Sequence, residues 1–262
     1  MTSEEADALF AKTLLGDEDD EEAWSAVAAL HSNGSLEVFQ RASAWCVSDE
    51  ALKRARGAAI LCQLRRTDVD QPEELFRPES YSIITKMLET EQDPIVIDSA
   101  IHALGHLGIA GAVPLIRRYE DHSETDVRFA VAFALGCHPH LNEPSAIEGL
   151  LGLTSDADEE VRDWAVFGLG VQGDADSPEI RETLLRCLDD ANENVREEAA
   201  VGLGKRQDQR LIPKLWPLLE GPEVKIRVAQ AAAALLGLDP DPPEWGPEDY
   251  KAALAQKFQI AG

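Results

Sequence analysis

Positive charge is scarce in this chain. Its 24 lysines and arginines stand against 49 aspartates and glutamates, a formal net charge of −25, and the excess is spread over both ends rather than gathered in one tail. A field of that sign repels phosphate backbones and anionic lipid, which argues against nucleic-acid and membrane-surface partners and favours a basic protein. Acidic surfaces are also a general route to solubility, so the charge bears on association and not on the fold. Long apolar runs are missing too. No stretch of about 18 apolar residues occurs, and the opening MTSEEADALF holds neither a basic segment nor an apolar run, which predicts a cytoplasmic chain without a membrane span or export signal. Cysteine is rare and irregularly placed. Cys46, Cys62, Cys137 and Cys187 lack the paired spacing of a disulfide framework or a zinc finger and read as buried thiols. A nucleophile elbow, a P-loop and a dinucleotide-binding fingerprint are all absent, which predicts that the chain is not an enzyme and needs no cofactor.

What the chain has instead is a recurring ten-residue phrase, V-R-x-x-A-x-x-x-L-G. It reads VIDSAIHALG at 96–105, VRFAVAFALG at 127–136, VRDWAVFGLG at 161–170 and VREEAAVGLG at 195–204, with starts 31, 34 and 34 residues apart. A fixed period of this size marks one supersecondary unit repeated, each burying its apolar face against its neighbours. Apolar residues at positions 1, 5, 8 and 9 form a helical stripe, so each phrase predicts a helix. Asp93, Glu124, Asp158 and Asn192 stand three residues before the starts, where a side-chain oxygen caps free amides. The glycine near the phrase end is expected to loosen or stop the helix. A second apolar helix precedes each phrase, at 80–89, 112–119, 145–153, 178–188 and 211–219. The predicted fold is therefore all-α, a right-handed α-solenoid of stacked helical hairpins.

The ends are less regular, as capping units with a polar outer face are. KRARGAAILC at 53–62 aligns as a degenerate phrase if the residues after it are matched to His106 and Leu107, with an insertion from about Arg65 to Glu79. The last repeat registers from either Ile226 or Val228. Three helices at 4–15, 20–30 and 35–47 precede the array, and a breaker run at 239–247 leads to a final helix at 248–260. One solenoid domain over 1–262 is expected, with capping helices in 1–48, repeats in 49–237, and a proline-rich turn and closing helix in 238–262.

The phrase D-x-x-V-R-x-x-A-x-x-x-L-G resembles the HEAT-repeat proteins, and within them the short-repeat class named after phycobilisome lyases, over roughly residues 50–237. The resemblance implies a ladder of Asp and Arg along the stack, with Arg128, Arg162, Arg196 and Arg227 as rungs and Ile97 departing from it. It also admits enzymes, which the residues test. Deoxyhypusine hydroxylases carry His-Glu pairs just after the repeat arginine to hold two irons. Here those positions are Phe129 and Ala130, Asp163 and Trp164, Glu197 and Glu198, and no His-Glu dipeptide exists in the chain. HEAT-like alkylpurine glycosylases need a basic groove, and the charge has the wrong sign. A bilin-lyase role would rest on the repeat name alone. His102 and His106, one turn apart, could meet Cys137 and His138 of the next unit as a metal site, but separate helices space such ligands widely and no metal is expected.

What the repeats offer is surface. In HEAT-like solenoids the second helix of each hairpin lines the concave side, and positions 3, 4 and 7 of the phrase point there. These are Asp98, Ser99 and His102, then Phe129, Ala130 and Phe133, then Asp163, Trp164 and Phe167, then Glu197, Glu198 and Val201. Aromatic anchors flanked by acids are the composition of a groove that selects lysine and arginine. The expected binding residues are Asp98, His102, Phe129, Phe133, Asp163, Trp164, Phe167, Glu197 and Glu198. Against this stands simple packing, in which Phe133, Phe167 and Trp164 fill space between helices. Phe129 is the better candidate, because neighbouring units carry Asp98, Asp163 and Glu197 at its position. The expected function is an adaptor or scaffold docking a basic protein. The alternative is an immunity-type inhibitor that blocks a basic, nuclease-like toxin.

Overall fold

The computed structural model describes residues 2–16, 20–66, 73–137, 141, 143–220, 223–238 and 244–259. Within them fifteen α-helices fall into two compact units, residues 1–140 and 141–262. The first holds α1 (Ser3–Lys12), α2 (Glu21–Ser32), α3 (Leu36–Trp45), α4 (Ala51–Leu61), α5 (Arg77–Leu88), α6 (Pro94–Leu107), α7 (Val113–Ile116) and α8 (Thr125–Gly136). The second holds α9 (Pro144–Leu153), α10 (Glu159–Phe167), α11 (Pro178–Cys187), α12 (Glu193–Lys205), α13 (Ile212–Leu218), α14 (Ile226–Leu236) and α15 (Pro247–Phe258). The architecture is the predicted α-solenoid type. In the first unit α6 packs between α4 and α8, and in the second α12 packs between α10 and α14. The predicted insertion contains a two-residue antiparallel pairing, Arg65 with Glu74 and Arg66 with Glu73, while the rest of it, 67–72, lies outside the described residues.

The cores follow the phrase. Val96, Ala100 and Leu104 of α6, Val127, Val131 and Leu135 of α8, and Val195, Ala199 and Leu203 of α12 are all buried. In the last repeat Val228 is buried and Ile226 is 71% exposed, so Val228 is the inward residue. The segment 112–119 is helical with interruptions: α7 is flanked by 3-10 turns at Ala110–Ala112 and Arg117–Tyr119, with Pro114 in its first turn. Three of the four predicted caps form. Asp93 accepts from the Ile95 amide, Asp158 from Glu160 and Val161, and Asn192 from Asn194 and Val195, whereas Glu124 opens α8 without a side-chain bond.

The arginine ladder is present, but its acids are different from the predicted ones. Arg128, Arg162 and Arg196 each donate Nη1 to the carbonyls six and five residues upstream, closing the turn before their own helix. Arg54 of α4 does the same to Ser48 and Asp49, which adds a rung from the degenerate phrase at 53–62. The acid meeting the rung precedes the cap by two residues. Glu91 receives Arg54 at 2.7 and 3.0 Å, and Asp190 receives Arg162 at 2.9 Å on both oxygens. Such forked, charge-assisted pairs are stronger than single neutral bonds, and here they tie one hairpin's second helix to the next hairpin's turn. Accordingly both carboxyls are held below the usual carboxylate range, the arginine bonds working against the cost of burial. Arg227 is not a rung; it bonds Glu198 and Gln230 instead.

The phrase glycine ends α8 at Gly136 and lies in a loosened π-helical turn at Gly170, as predicted, but elsewhere it has another role. α6 runs past Gly105 and stops at the left-handed Gly108, and α12 runs past Gly204. What these glycines permit is close helix contact. A Cβ on Gly105 would lie 2.9 Å from the Ala134 Cα, one on Gly202 would lie 2.6 Å from the Gly170 Cα, and one on Gly204 would lie 2.4 Å from the Ala231 carbonyl oxygen. Second helices therefore touch backbone to backbone. α10 itself continues into a π-helical turn at Gly168–Gln172, whose Leu169 carbonyl accepts from the buried Arg206 at 2.8 Å, while the Ala175 carbonyl just beyond the turn accepts from it at 2.6 Å.

Two substitutions separate these roles. Gly202→Ala should lower unfolding free energy by about 1–3 kcal/mol, because the new methyl meets backbone that cannot rotate away. Gly152→Ala, in α9, meets nothing within 4 Å and should be neutral or stabilising by up to about 1 kcal/mol. Urea denaturation of the two variants reads both. A rung is tested by Arg162→Lys, which keeps the charge and loses the fork. A loss of about 1–2 kcal/mol is expected, and no loss would mean that charge alone holds the turn.

Candidate protein-binding face

In the first unit the structure brings Asp98, His102, Phe129 and Phe133 together. They lie on α6 and α8 and are half-buried. The His102 ring sits 4.9 Å from Phe133 and 6.0 Å from Phe129, and His106 packs edge-on against Phe133 at 5.2 Å. His102 Nδ1 lies 3.3 Å from the Asp98 carboxylate, which makes the pair an ion pair only when the imidazole is protonated. Phe133 thus does fill space between helices, wedged between two imidazoles. Phe129 lies at the edge of the same cluster, and Ala130 is fully buried.

In the second unit Trp164 packs edge-to-face on Phe167 at 5.6 Å, both half-buried on α10. The acids beside them are less free than a solvated rim. Glu198 is only 7% exposed, and its Oε1 takes a 2.8 Å bond from Arg227 of α14. Glu197 lies 3.4 Å from Lys225, which also bonds Glu193. Val201 is buried. Glu198 and Glu197 therefore have cationic partners within the chain, contributed by a segment whose register the sequence leaves open. Two oxygens are nonetheless left over. Asp163 Oδ1 and Glu198 Oε2 are buried and accept no hydrogen bond. An unsatisfied buried carboxylate oxygen is costly. Burial pushes Glu198 up to about 7, Arg227 opposing the rise and Asp163 and Glu197 adding to it. Burial also raises Asp163, with Arg227 opposing and Glu160 assisting.

Among the described residues no three or more histidines, cysteines or carboxylates come together as a metal site, and His138 lies outside those residues. His106 is lowered by burial first and by the nearby positive groups His102, His31 and Arg65. Burial pushes Cys46 and Cys62 up to about 12, and Cys137 and Cys187 up to about 11, which keeps them protonated and unreactive near neutral pH. Cys137 is half-buried rather than buried. Among the described residues no helix is long and apolar enough to cross a membrane.

Against known proteins, the sequence matches the family model for HEAT repeats over residues 81–170 and again over 147–236. Among solved structures the chain is similar to YibA of E. coli, at 24% identity over 97% of this chain and 92% of that one, with a TM-score of 0.72. It is also similar to an engineered protein, at 17% identity over 98% of this chain and 72% of that one, with a TM-score of 0.50. A third likeness is to human deoxyhypusine hydroxylase, solved with glycerol, at 21% identity over 98% and 97% of the two chains and a TM-score of 0.37. At these identities the first two likenesses show the fold alone. No curated protein matches the sequence significantly.

The acid cluster makes a signed prediction. Glu198 in the folded chain binds its proton more tightly than in the unfolded chain, where the value is about 4.5, so stability falls as pH rises from about 4.5 to about 7. Glu198→Gln removes that loss. Its stability relative to wild type should grow by up to about 3 kcal/mol between pH 5 and pH 8, since each tenfold difference in proton affinity between the two states corresponds to about 1.4 kcal/mol. Groups remote from the cluster cancel in the difference, whereas Asp163 and Glu197, which interact with Glu198, contribute to it. A difference that stays flat with pH in urea denaturation would place the Glu198 carboxyl in its ordinary range.

Proposed function

Because the chain belongs to the HEAT-repeat family, whose repeats generally mediate protein–protein interaction, we propose that it is a non-catalytic cytoplasmic binding module that docks a basic protein segment on its second helices. The observation that carries this reading is local. Orphaned carboxyl oxygens of Asp163 and Glu198 lie on the face that also presents the Trp164–Phe167 pair, in a chain of net charge −25. Aromatic faces attract ammonium and guanidinium groups, and a surplus of carboxylate selects them over neutral side chains. The same charge disfavours nucleic acid and anionic membrane as partners. The non-catalytic part of the reading rests on residues: the positions after the repeat arginines hold Phe129 and Ala130, Asp163 and Trp164, and Glu197 and Glu198, with no His-Glu pair among them.

Affinity for a peptide rich in lysine and arginine, measured by fluorescence anisotropy, tests the reading. Wild type should bind it, and the Phe129→Ala, Trp164→Ala double variant should bind at least about tenfold more weakly, the loss of about 1.4 kcal/mol or more typical of aromatic anchors. The fall of log affinity with salt should be parallel in wild type and variant, because the charge contacts are the same in both. Affinities within a few-fold of each other would remove the aromatic residues from the interface.

A further inference from the structure

The cluster around Glu198 is unbalanced in a way the fold does not require. Asp163 of α10 and Glu198 of α12 both lie within reach of one guanidinium, Arg227 of α14; Glu160 adds its charge beside Asp163, and Asp163 and Glu197 add theirs beside Glu198. Arg227 spends one Nη on Glu198 Oε1 and the other on Gln230 Oε1 of its own helix at 3.1 Å. The other cation near the cluster is Lys225, just before α14, and it is held by Glu193 and Glu197. On its remaining side α12 meets α11 through the apolar cluster that includes Ile180, Leu184 and Cys187. Glu198 is more than nine-tenths buried, and its Oε2 has neither solvent nor a hydrogen-bond donor; Asp163 Oδ1 is in the same position. A dry carboxylate oxygen without a donor is costly, and the cheapest donor is a proton on the carboxyl itself.

We propose that the Asp163–Glu198 cluster holds a proton in the free protein near neutral pH and releases it to solvent when a cationic side chain docks beside it, so that binding of a basic partner is linked to deprotonation. The linkage rests on the binding reading given above. A docked ammonium or guanidinium does for the cluster what Arg227 does incompletely. It adds positive charge beside Asp163 and Glu198, which have only Arg227 acting on both, and it favours the ionised form. The released proton goes to buffer, and the carboxylate left behind pairs with the incoming cation. Because burial raises the Glu198 carboxyl into the neutral range, a measurable fraction of a proton, at most one, should be released per peptide bound near pH 7. Affinity for the basic segment should accordingly rise with pH across the neutral range, which would make the face a sensor of cytoplasmic pH as well as a docking site.

Isothermal titration of the full chain with an oligolysine peptide at pH 7 tests this, run in two buffers of very different ionisation enthalpy. The expected result is binding with an apparent enthalpy that differs between buffers in the direction of proton release, by no more than one proton, and loss of that difference in Glu198→Gln. Binding with equal enthalpies in both buffers would overturn the proton linkage while leaving the docking face intact. Retention of the full buffer difference in Glu198→Gln would overturn the assignment to this cluster. Absence of binding would overturn both the linkage and the docking reading. Folding of the variant is checked by its thermal unfolding, and Glu198→Asp, which keeps a titrating carboxyl, should restore part of the buffer difference.

Discussion

The contact on which the rest depends is the one between a rung arginine and the carbonyls of its own turn. Arg54, Arg128, Arg162 and Arg196 each reach back with Nη1 to two main-chain oxygens that would otherwise be left without partners at the bend between helices. That bond fixes where the second helix starts and how it is rotated. Where Nε and Nη2 are also engaged, as from Arg162 to Asp190, the next turn is fixed as well. The positions that follow the arginine in each phrase, which carry the aromatics and acids, are thereby set on one face of each second helix. The glycine contacts then let neighbouring second helices come together closely enough for those side chains to touch, as His102 touches Phe133.

Burial changes what the face can do. A row of acids on exposed helices would be a diffuse electrostatic attractor, weak at physiological salt. Glu198 is instead desolvated and only half satisfied, so its free energy depends sharply on any cation that approaches. Arg227 and Lys225 show what such cations look like when the chain supplies its own. Burial raises the thiols, and among the described histidines His102 is engaged with Asp98, His106 with the Phe133 ring and His31 with the Ala59 carbonyl at 2.8 Å.

The helices are legible in the sequence because the phrase fixes both period and face, and the buried valines of α8, α10 and α12 stand where position 1 puts them. The rung arginines are legible for the same reason. Their acids are not. Glu91 and Asp190 lie in turns, two residues before the caps, where nothing in a helical period distinguishes a structural carboxylate from a solvated one. The role of Gly202 and Gly204 escapes a sequence reading because a glycine near a helix end has two possible causes, and only the distance to Gly170 and Ala231 separates them. Glu198 reads as rim in the sequence because glutamate is usually exposed. Its burial comes from the neighbouring helix, and the Arg227 that meets it sits in the repeat whose register the sequence leaves open.

NMR chemical-shift mapping of the full chain, titrated with a peptide rich in lysine and arginine, tests the central claim most directly. If the second helices of the second unit form the docking face, the largest shifts fall on Trp164, Phe167, Asp163, Glu197 and Glu198. Shifts concentrated instead around Glu148, Glu179 and Glu182, which line a separate acidic groove of about 470 Å³ between α9 and α11, would contradict the claim and move the binding face to the first helices.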